Sequence, residues 1–317
     1  MSVSARRGGR FVRRITDRLQ SAPSETDDAI WQSIQLARHQ DRPYTLDYVS
    51  RLFGEFEELR GDRASRDDPS IIAGIARGDE GPYAVVGQQK GRDTAERTLR
   101  NFGMPSPEGY RKAMRVFELA EKLQLPVVTL IDTPGAFPGA EAENHGQGGA
   151  ISRSMQAMLR LSVPVVAVVI GEGSSGGALA LGVADRVLML EHATYSVISP
   201  EGAASILWRD AARARDAANA FRPTAANCYR WGITDVVVPE PPGGAHTDHD
   251  EAARLLGSYL ARTFKELRAL EPDERRRQRR DRYRRIGSFR EVPGADATQL
   301  VSHGDAVHHN VSPPAGG

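Results

Sequence analysis

The stretch Gly171-Glu172-Gly173-Ser174-Ser175-Gly176-Gly177-Ala178 carries residue types and spacings suited to chemistry. Glycine leaves the backbone bare, so a ligand can reach peptide N–H groups. The first amides of a helix have no internal acceptor, and the helix dipole reinforces them. A helix beginning at Gly176-Gly177 would therefore offer a backbone cradle for negative charge, on a phosphate or an oxyanion. The same letters fit other patterns. Gly171-x-Gly173-x-x-Gly176 is GxGxxG, with Glu191 near where a ribose-binding acid would stand. Gly173-x-Ser175-x-Gly177 is GxSxG, the nucleophile elbow of hydrolases, with Asp235 and His246 following in the required order. A tight glycine turn that only packs is the remaining reading. A turn of that kind is expected to need positive φ angles, which glycine adopts at little cost. The dinucleotide reading is short of chain. About eight residues separate Gly177 from the next strand, whereas a dinucleotide-binding βαβ unit spans roughly 30. Asp235 and His246 sit in proline- and glycine-rich surroundings that read as surface.

The elements that must position this stretch follow from pattern. Val163-Pro164-Val165-Val166-Ala167-Val168-Val169-Ile170 is a β-branched run, as in a strand buried on both faces. A short helix over 178–184 and a strand over 186–190 come next. Upstream, 126–132 reads as a strand, 133–139 as a proline- and glycine-rich loop, and 150–161 as a helix. Downstream, a strand over 194–198 leads to Ser199 as helix N-cap, Pro200 at the first helical position, and a helix over 203–208. Strands alternating with helices predict an α/β fold with a mostly parallel sheet and ligands at the carboxyl ends of its strands. Ahead of this core, 44–49 starts an ordered segment that 53–59 is expected to continue as helix. Residues 71–76 and 82–87 read as a hairpin turning at Asp79-Glu80-Gly81. Gln88-Gln89-Lys90-Gly91-Arg92 is either an anion contact or a solvated loop, and the residues alone favour the loop. Met114, Phe117, Leu119, Ala120 and Leu123 give the helix after it one apolar face.

Composition sets further bounds. The chain has 317 residues and a net charge of +1, so nothing pushes it globally toward nucleic acid or a membrane surface. Cys228 is the only cysteine, which excludes an internal disulfide and a zinc site built on several cysteines. No apolar run reaches the roughly 18 residues of a membrane span, and no signal-peptide core is present, so the expected location is cytoplasmic. Residues 1–40 read as an N-terminal arm, basic over 2–18 and with helical apolar spacing over 29–37. A flexible or partner-packed arm is preferred there to membrane contact. Residues 288–317, with His303, His308 and His309 beside a Pro-Pro-Ala-Gly-Gly end, read as a disordered tail rather than a metal site.

Nine short motifs occur in order: Arg42-Pro-Tyr-Thr-Leu-Asp-Tyr, Gly61-Asp-Arg-Ala, Gln89-Lys-Gly-Arg, Asn101-Phe-Gly-Met-Pro, Pro107-Glu-Gly-Tyr-Arg-Lys-Ala, Ile131-Asp-Thr-Pro-Gly-Ala, Gly171-Glu-Gly-x-Ser-Gly-Gly-Ala-Leu-Ala, Tyr195-Ser-Val-Ile-Ser-Pro-Glu-Gly and Ala204-Ser-Ile-Leu-Trp. Together they resemble the carboxyltransferase alpha subunits of bacterial acetyl-CoA carboxylase, over residues 42–246 and a basic helix near 275–285. The resemblance implies a crotonase/ClpP-like fold of repeated ββα units, here with a helical N-terminal arm (1–40), a carboxyltransferase domain (41–265), a basic helical extension (266–287) and the tail (288–317). It implies transfer of a carboxyl group from carboxybiotin, carried on a biotin carboxyl carrier protein, to acetyl-CoA, giving malonyl-CoA for fatty acid synthesis. It also implies an α2β2 assembly with a beta subunit that carries a four-cysteine zinc ribbon, and a separate biotin carboxylase. This chain itself would bind no metal.

The resemblance makes Gly176 and Gly177 a backbone oxyanion hole and assigns Gly173, Ser174, Ser175, Gly135, Ala136 and Phe137 to substrate or carboxybiotin binding. Ser175 is then a turn residue, and no side-chain base is required. Ser174 stands where such chains have glycine and is expected to crowd the biotin side. Phe137 stands where they have tyrosine. These departures leave another short acyl-CoA open as substrate, and a serine hydrolase of related fold using Ser175 is the other alternative.

Overall fold

The computed structural model describes residues 25–287. The basic segment 2–18 and the tail histidines His303, His308 and His309 lie outside the described residues. Helix α1 (Asp27–Ala37) is followed by α2 (Thr45–Leu52) and then by β1 (Glu55–Glu58), β2 (Ile71–Gly78) and β3 (Gly81–Gln88). Helices α3 (Thr94–Leu99) and α4 (Pro107–Leu123) lead to β4 (Val127–Thr133), α5 (Ala140–Asn144), α6 (Gln147–Arg160), β5 (Val165–Ser174) and α7 (Ser175–Gly182). Then come β6 (Arg186–Leu190), β7 (Thr194–Ser196), α8 (Pro200–Trp208), α9 (Ala214–Phe221), α10 (Ala225–Arg230), β8 (Val236–Val238), α11 (His249–Arg268) and α12 (Pro272–Arg284).

One sheet runs in the order β1-β2-β3-β4-β5-β6-β8, with β7 added beside the far end of β5. The first three strands are antiparallel, and β3 through β8 are parallel. The expected α/β architecture is therefore present, with an antiparallel edge. Strands β4 and β5 are buried along their whole length, which is why they are dominated by apolar, β-branched residues. The hairpin and the Ser199-Pro200 helix start form as expected, and the Ser199 side chain accepts from the Gly202 amide at 3.1 Å.

Several expectations are corrected. Residues 55–58 form an edge strand, not a helix, because the chain turns extended at Phe53 and Glu55 to Glu58 pair with β2 while Phe56 packs on the core. Helix α6 begins at Gln147, three residues early, and β7 stops at Ser196. The Gln88–Arg92 segment is not a solvated loop. Gln88 and Gln89 are buried, and Lys90 reaches Asp132 at 2.7 Å and Glu172 at 3.6 Å. Burial alone would lower the Lys90 ammonium, but Asp132 and Glu172 outweigh it and hold the group above the ordinary lysine value. Arg92 bonds the carbonyls of Gln40 and Arg42 and pairs with Asp47.

The largest correction concerns the glycine run. Gly171 to Ser174 are strand, not turn. Against β4, the register slips between Ile131↔Val169 and Thr133↔Gly173, so β5 bulges opposite Asp132. Bulges re-aim a strand end and are frequent beside functional sites. Here the freed backbone groups are satisfied: Asp132 Oδ1 accepts from the Glu172 amide at 2.9 Å, and Arg42 Nε donates to the Ile170 carbonyl at 2.7 Å. Gly171 is required for clearance, since a Cβ there would lie 2.6 Å from Asp132 Oδ1. None of Gly171, Gly173, Gly176 and Gly177 has positive φ; the residue that does is Ser175, at 58°.

Candidate oxyanion-binding site

The re-aimed end of β5 passes directly into α7, with Ser174 as N-cap and Ser175, Gly176 and Gly177 in the first turn. The helix thus starts one residue before the Gly176-Gly177 pair expected to open it, and three before the 178–184 run. In a helix capped at Ser174, the first amide with an intrahelical acceptor is that of Ala178. No side chain caps the end. The amides of Gly176 and Gly177 thus stand at the positive end of the helix dipole without an intrahelical partner. Gly176 is partly exposed, whereas Gly177 is buried.

The loop after β4 closes one side. A Cβ on Gly177 would lie 2.6 Å from both the Ala136 nitrogen and the Gly135 carbonyl carbon, so this loop presses on the helix start. Thr133 Oγ1 folds the loop back, accepting from the Gly135 amide at 3.0 Å and donating to its carbonyl at 2.6 Å. Phe137 is pinned one residue on: its amide donates to Pro105, and Gln147 Nε2 donates to its carbonyl at 2.9 Å. On the other side opens a cleft of ≈ 340 Å³ that reaches Ser175 and Gly176. Its walls include Leu179, Val187, Val197, Ile233 and Tyr283. The structure therefore gathers Gly173, Ser174, Ser175, Gly176, Gly177, Gly135 and Ala136 at adjoining strand ends, with Phe137 next in the β4 loop.

Ser174 does not line this cleft. It is 1% exposed, and its Oγ is buried without a partner among the described residues. Sequence reasoning also missed Ile151, whose δ-methyl would be 3.4 Å from a Cβ on Gly176, and the buried Gln88. A polar residue ending a strand pattern was the available signal for Gln88. The ionic network beneath the bulge was equally hidden: Arg38 joins Glu172 at 2.7 Å to Glu201 at 2.8 Å, linking the end of α1 to β5 and α8.

The hydrolase constellation is not assembled. Asp235 accepts from the Val187 amide at 2.7 Å and pairs with Arg282. His246 instead stacks on His39, with ring centroids 3.9 Å apart. The dinucleotide reading also lacks its parts. The crossover helix α7 has eight residues, and Glu191 accepts from the Glu240 amide. Burial pushes the Cys228 thiol up to about 12, so it is not an ionised nucleophile at neutral pH. Among the described residues no helix is long and apolar enough to cross a membrane.

This sheet, with its bulged central strand delivering a short helix N-terminus against a neighbouring loop, has the fold of the crotonase-like acyl-CoA carboxyltransferases. Solved structures agree. A transcarboxylase 12S structure superposes with a TM-score of 0.58 at 17% identity, covering 87% of this chain and 49% of that one. The beta subunit of Pseudomonas aeruginosa geranyl-CoA carboxylase gives a TM-score of 0.56 at 18% identity, over 85% and 48%. The chain spans about half the length of these solved chains. In sequence, residues 10–287 match the family described as acetyl co-enzyme A carboxylase carboxyltransferase-like. The acetyl-coenzyme A carboxylase carboxyl transferase subunit alpha of Deinococcus radiodurans is 58% identical over 261 residues, 82% of this chain and 83% of that protein. Its counterpart from Thioalkalivibrio sulfidiphilus is 54% identical, over 82% of each chain. The chain belongs to the acetyl-CoA carboxylase carboxyltransferase family.

Proposed function

We propose that this chain is the alpha subunit of an acetyl-CoA carboxylase carboxyltransferase, moving a carboxyl group from carboxybiotin to acetyl-CoA to form malonyl-CoA. The observation that carries the reading is the pair of amides at Gly176 and Gly177, without intrahelical acceptors, beside an apolar cleft. Carboxybiotin, delivered on a carrier protein, supplies the carboxyl group and the nitrogen that takes the thioester α-proton. The protein's task is electrostatic. Negative charge builds on a carbonyl oxygen during this chemistry, and a preorganised N–H donor is worth about 3–4 kcal/mol to such an oxygen. Gly176 and Gly177 supply the donors. Gly135 and Ala136 fix one wall, Gly173 and Ser174 set the strand end, and Ser175 takes the left-handed backbone turn into the helix.

Leu179 is 44% exposed and Val197 79% exposed on the cleft. Bare apolar walls beside the donors suit coverage by a second polypeptide. We assign that role to a beta subunit carrying the zinc ribbon, in an α2β2 assembly supplied by carrier protein and biotin carboxylase in the cytoplasm.

The test is co-expression with a zinc-ribbon beta chain, followed by assay of malonyl-CoA formation from carboxybiotin. Activity is expected only with the partner present. Ser175→Ala is expected to keep it, because among the described residues the candidate acid and base, Asp235 and His246, are engaged elsewhere, with Arg282 and His39. Ester hydrolysis by the lone chain that disappears in Ser175→Ala would overturn the proposal in favour of a hydrolase.

A further inference from the structure

Helix α7 is held by side chains from four different elements. Ser154 of α6 donates to the Ala180 carbonyl at 2.6 Å, and Thr129 of β4 to the Leu181 carbonyl at 2.7 Å. Tyr283 of α12 donates to the Gly182 carbonyl at 2.9 Å. These are the carbonyls of the last turn, which lack intrahelical donors and need partners when buried. The fourth bond differs in place. Gln88, at the end of β3, donates Nε2 to the Gly177 carbonyl at 3.0 Å, in the first turn. Its Oε1 accepts from the Asp132 amide at 3.1 Å, at the end of β4. Gln88 is fully buried.

One side-chain amide thus bridges the end of β4 and the first turn of α7, which carries the oxyanion donors. On one side it grips the residue that carries a donor. On the other it grips the strand whose loop, Gly135-Ala136, presses on that same residue. From this we infer that Gln88 is a positioning residue for carboxyl transfer, fixing the gap between the β4 loop and the first turn of α7. The inference rests on the carboxyltransferase reading. Gln88 touches no substrate; it acts through Gly177. Its amide is suited to the task because both functions are used at once, donor toward α7 and acceptor toward β4. A carboxylate keeps the acceptor and loses the donor, and an apolar chain loses both.

The experiment compares Gln88→Glu and Gln88→Met with Ser154→Ala, all in the complete complex with the beta chain. Ser154→Ala removes a buried bond to the same helix at its far end. Each variant is assayed well below its own melting midpoint for kcat and for KM toward acyl-CoA. Displacement of a reacting geometry by about 1 Å costs on the order of 10²-fold in rate. Both Gln88 variants are therefore expected to lose turnover on that scale, with KM unchanged, as for an interaction made in the transition state. Ser154→Ala is expected to lower the melting midpoint and leave kcat alone. The inference is overturned if the Gln88 variants match Ser154→Ala in kcat, or if they raise KM at unchanged kcat. Failure of either Gln88 variant to assemble is read from the other. Should both fail to assemble, Gln88 is a structural residue and the inference is overturned. An inactive wild-type complex would count against the carboxyltransferase reading instead.

Discussion

Gly177→Ala is expected to lower carboxyl-transfer turnover by about 10²–10³-fold, the loss typical of removing one oxyanion donor. Gly176→Ala, one residue away, is expected to retain most activity. The contrast comes from what each new methyl meets. At Gly177 it would lie 2.6 Å from the Ala136 nitrogen and the Gly135 carbonyl carbon, which are backbone atoms and cannot rotate away. The first turn and the β4 loop must then separate, and the amide donor moves with them. At Gly176 the methyl would meet only the Ile151 side chain, at 3.4 Å. Neither glycine has positive φ, so backbone strain does not enter the comparison. Steady-state kcat and KM with the assembled complex check the pair. Comparable losses in both variants would show that the Gly135-Ala136 contact does not govern the donors.

Arg279→Met is expected to cost about 3–5 kcal/mol of stability, the range for removing one partner of a buried ion pair. Both Arg279 and Asp185 side chains are almost wholly inaccessible, at 0% and 2%. The guanidinium meets the carboxylate through two bonds, at 2.9 and 2.7 Å. It also donates to the carbonyls of Met158, Leu161 and Val163. Methionine fills the volume and leaves a buried carboxylate with those carbonyls stripped of donors. The Val165 amide, at 2.8 Å, is then the Asp185 carboxylate's remaining hydrogen-bond donor. Arg279→Lys is expected to recover only part of the loss, because an ammonium lacks the planar fork that spans both carboxylate oxygens. Urea unfolding of the folded chain measures both. An unchanged midpoint in Arg279→Met would refute the claim.

Arg279 also illustrates what the letters alone leave ambiguous. The run Arg275-Arg276-Arg277-Gln278-Arg279-Arg280 fits a solvated basic helix as well as an internal clamp. A period of 3.6 puts Arg275, Arg279 and Arg282 along one side, but it does not say whether that side is wet. In the fold, Arg275 and Arg279 are buried and Arg282 pairs with Asp235. Tyr283 also accepts from the Ala184 amide at 2.7 Å, so the helix docks on the segment that follows α7. Helix α11, the long element before it, escaped the sequence reading altogether.

What the sequence determined by itself was local and repetitive. β-Branched runs made β4 and β5 buried strands, Ser199-Pro200 set a helix start, and the turn signal at Asp79-Glu80-Gly81 marked the β2–β3 hairpin, although Gly81 itself opens β3. The ordered motifs identified the family. Each signal depends on neighbours a few residues apart, through steric preference, capping or burial periodicity. Tertiary structure decided the rest. The glycines at 171 and 177 looked like turn residues, yet they provide clearance from Asp132 and from the Gly135-Ala136 loop, contacts between segments about 40 residues apart. The bulge that re-aims β5 exists only in its register with β4. Gln88 and Lys90 looked solvated because polar residues usually are. Gln88 is buried and Lys90 largely withdrawn from solvent because Asp132, Glu172 and Gly177, remote in the chain, give their donors and acceptors partners once the strands pair.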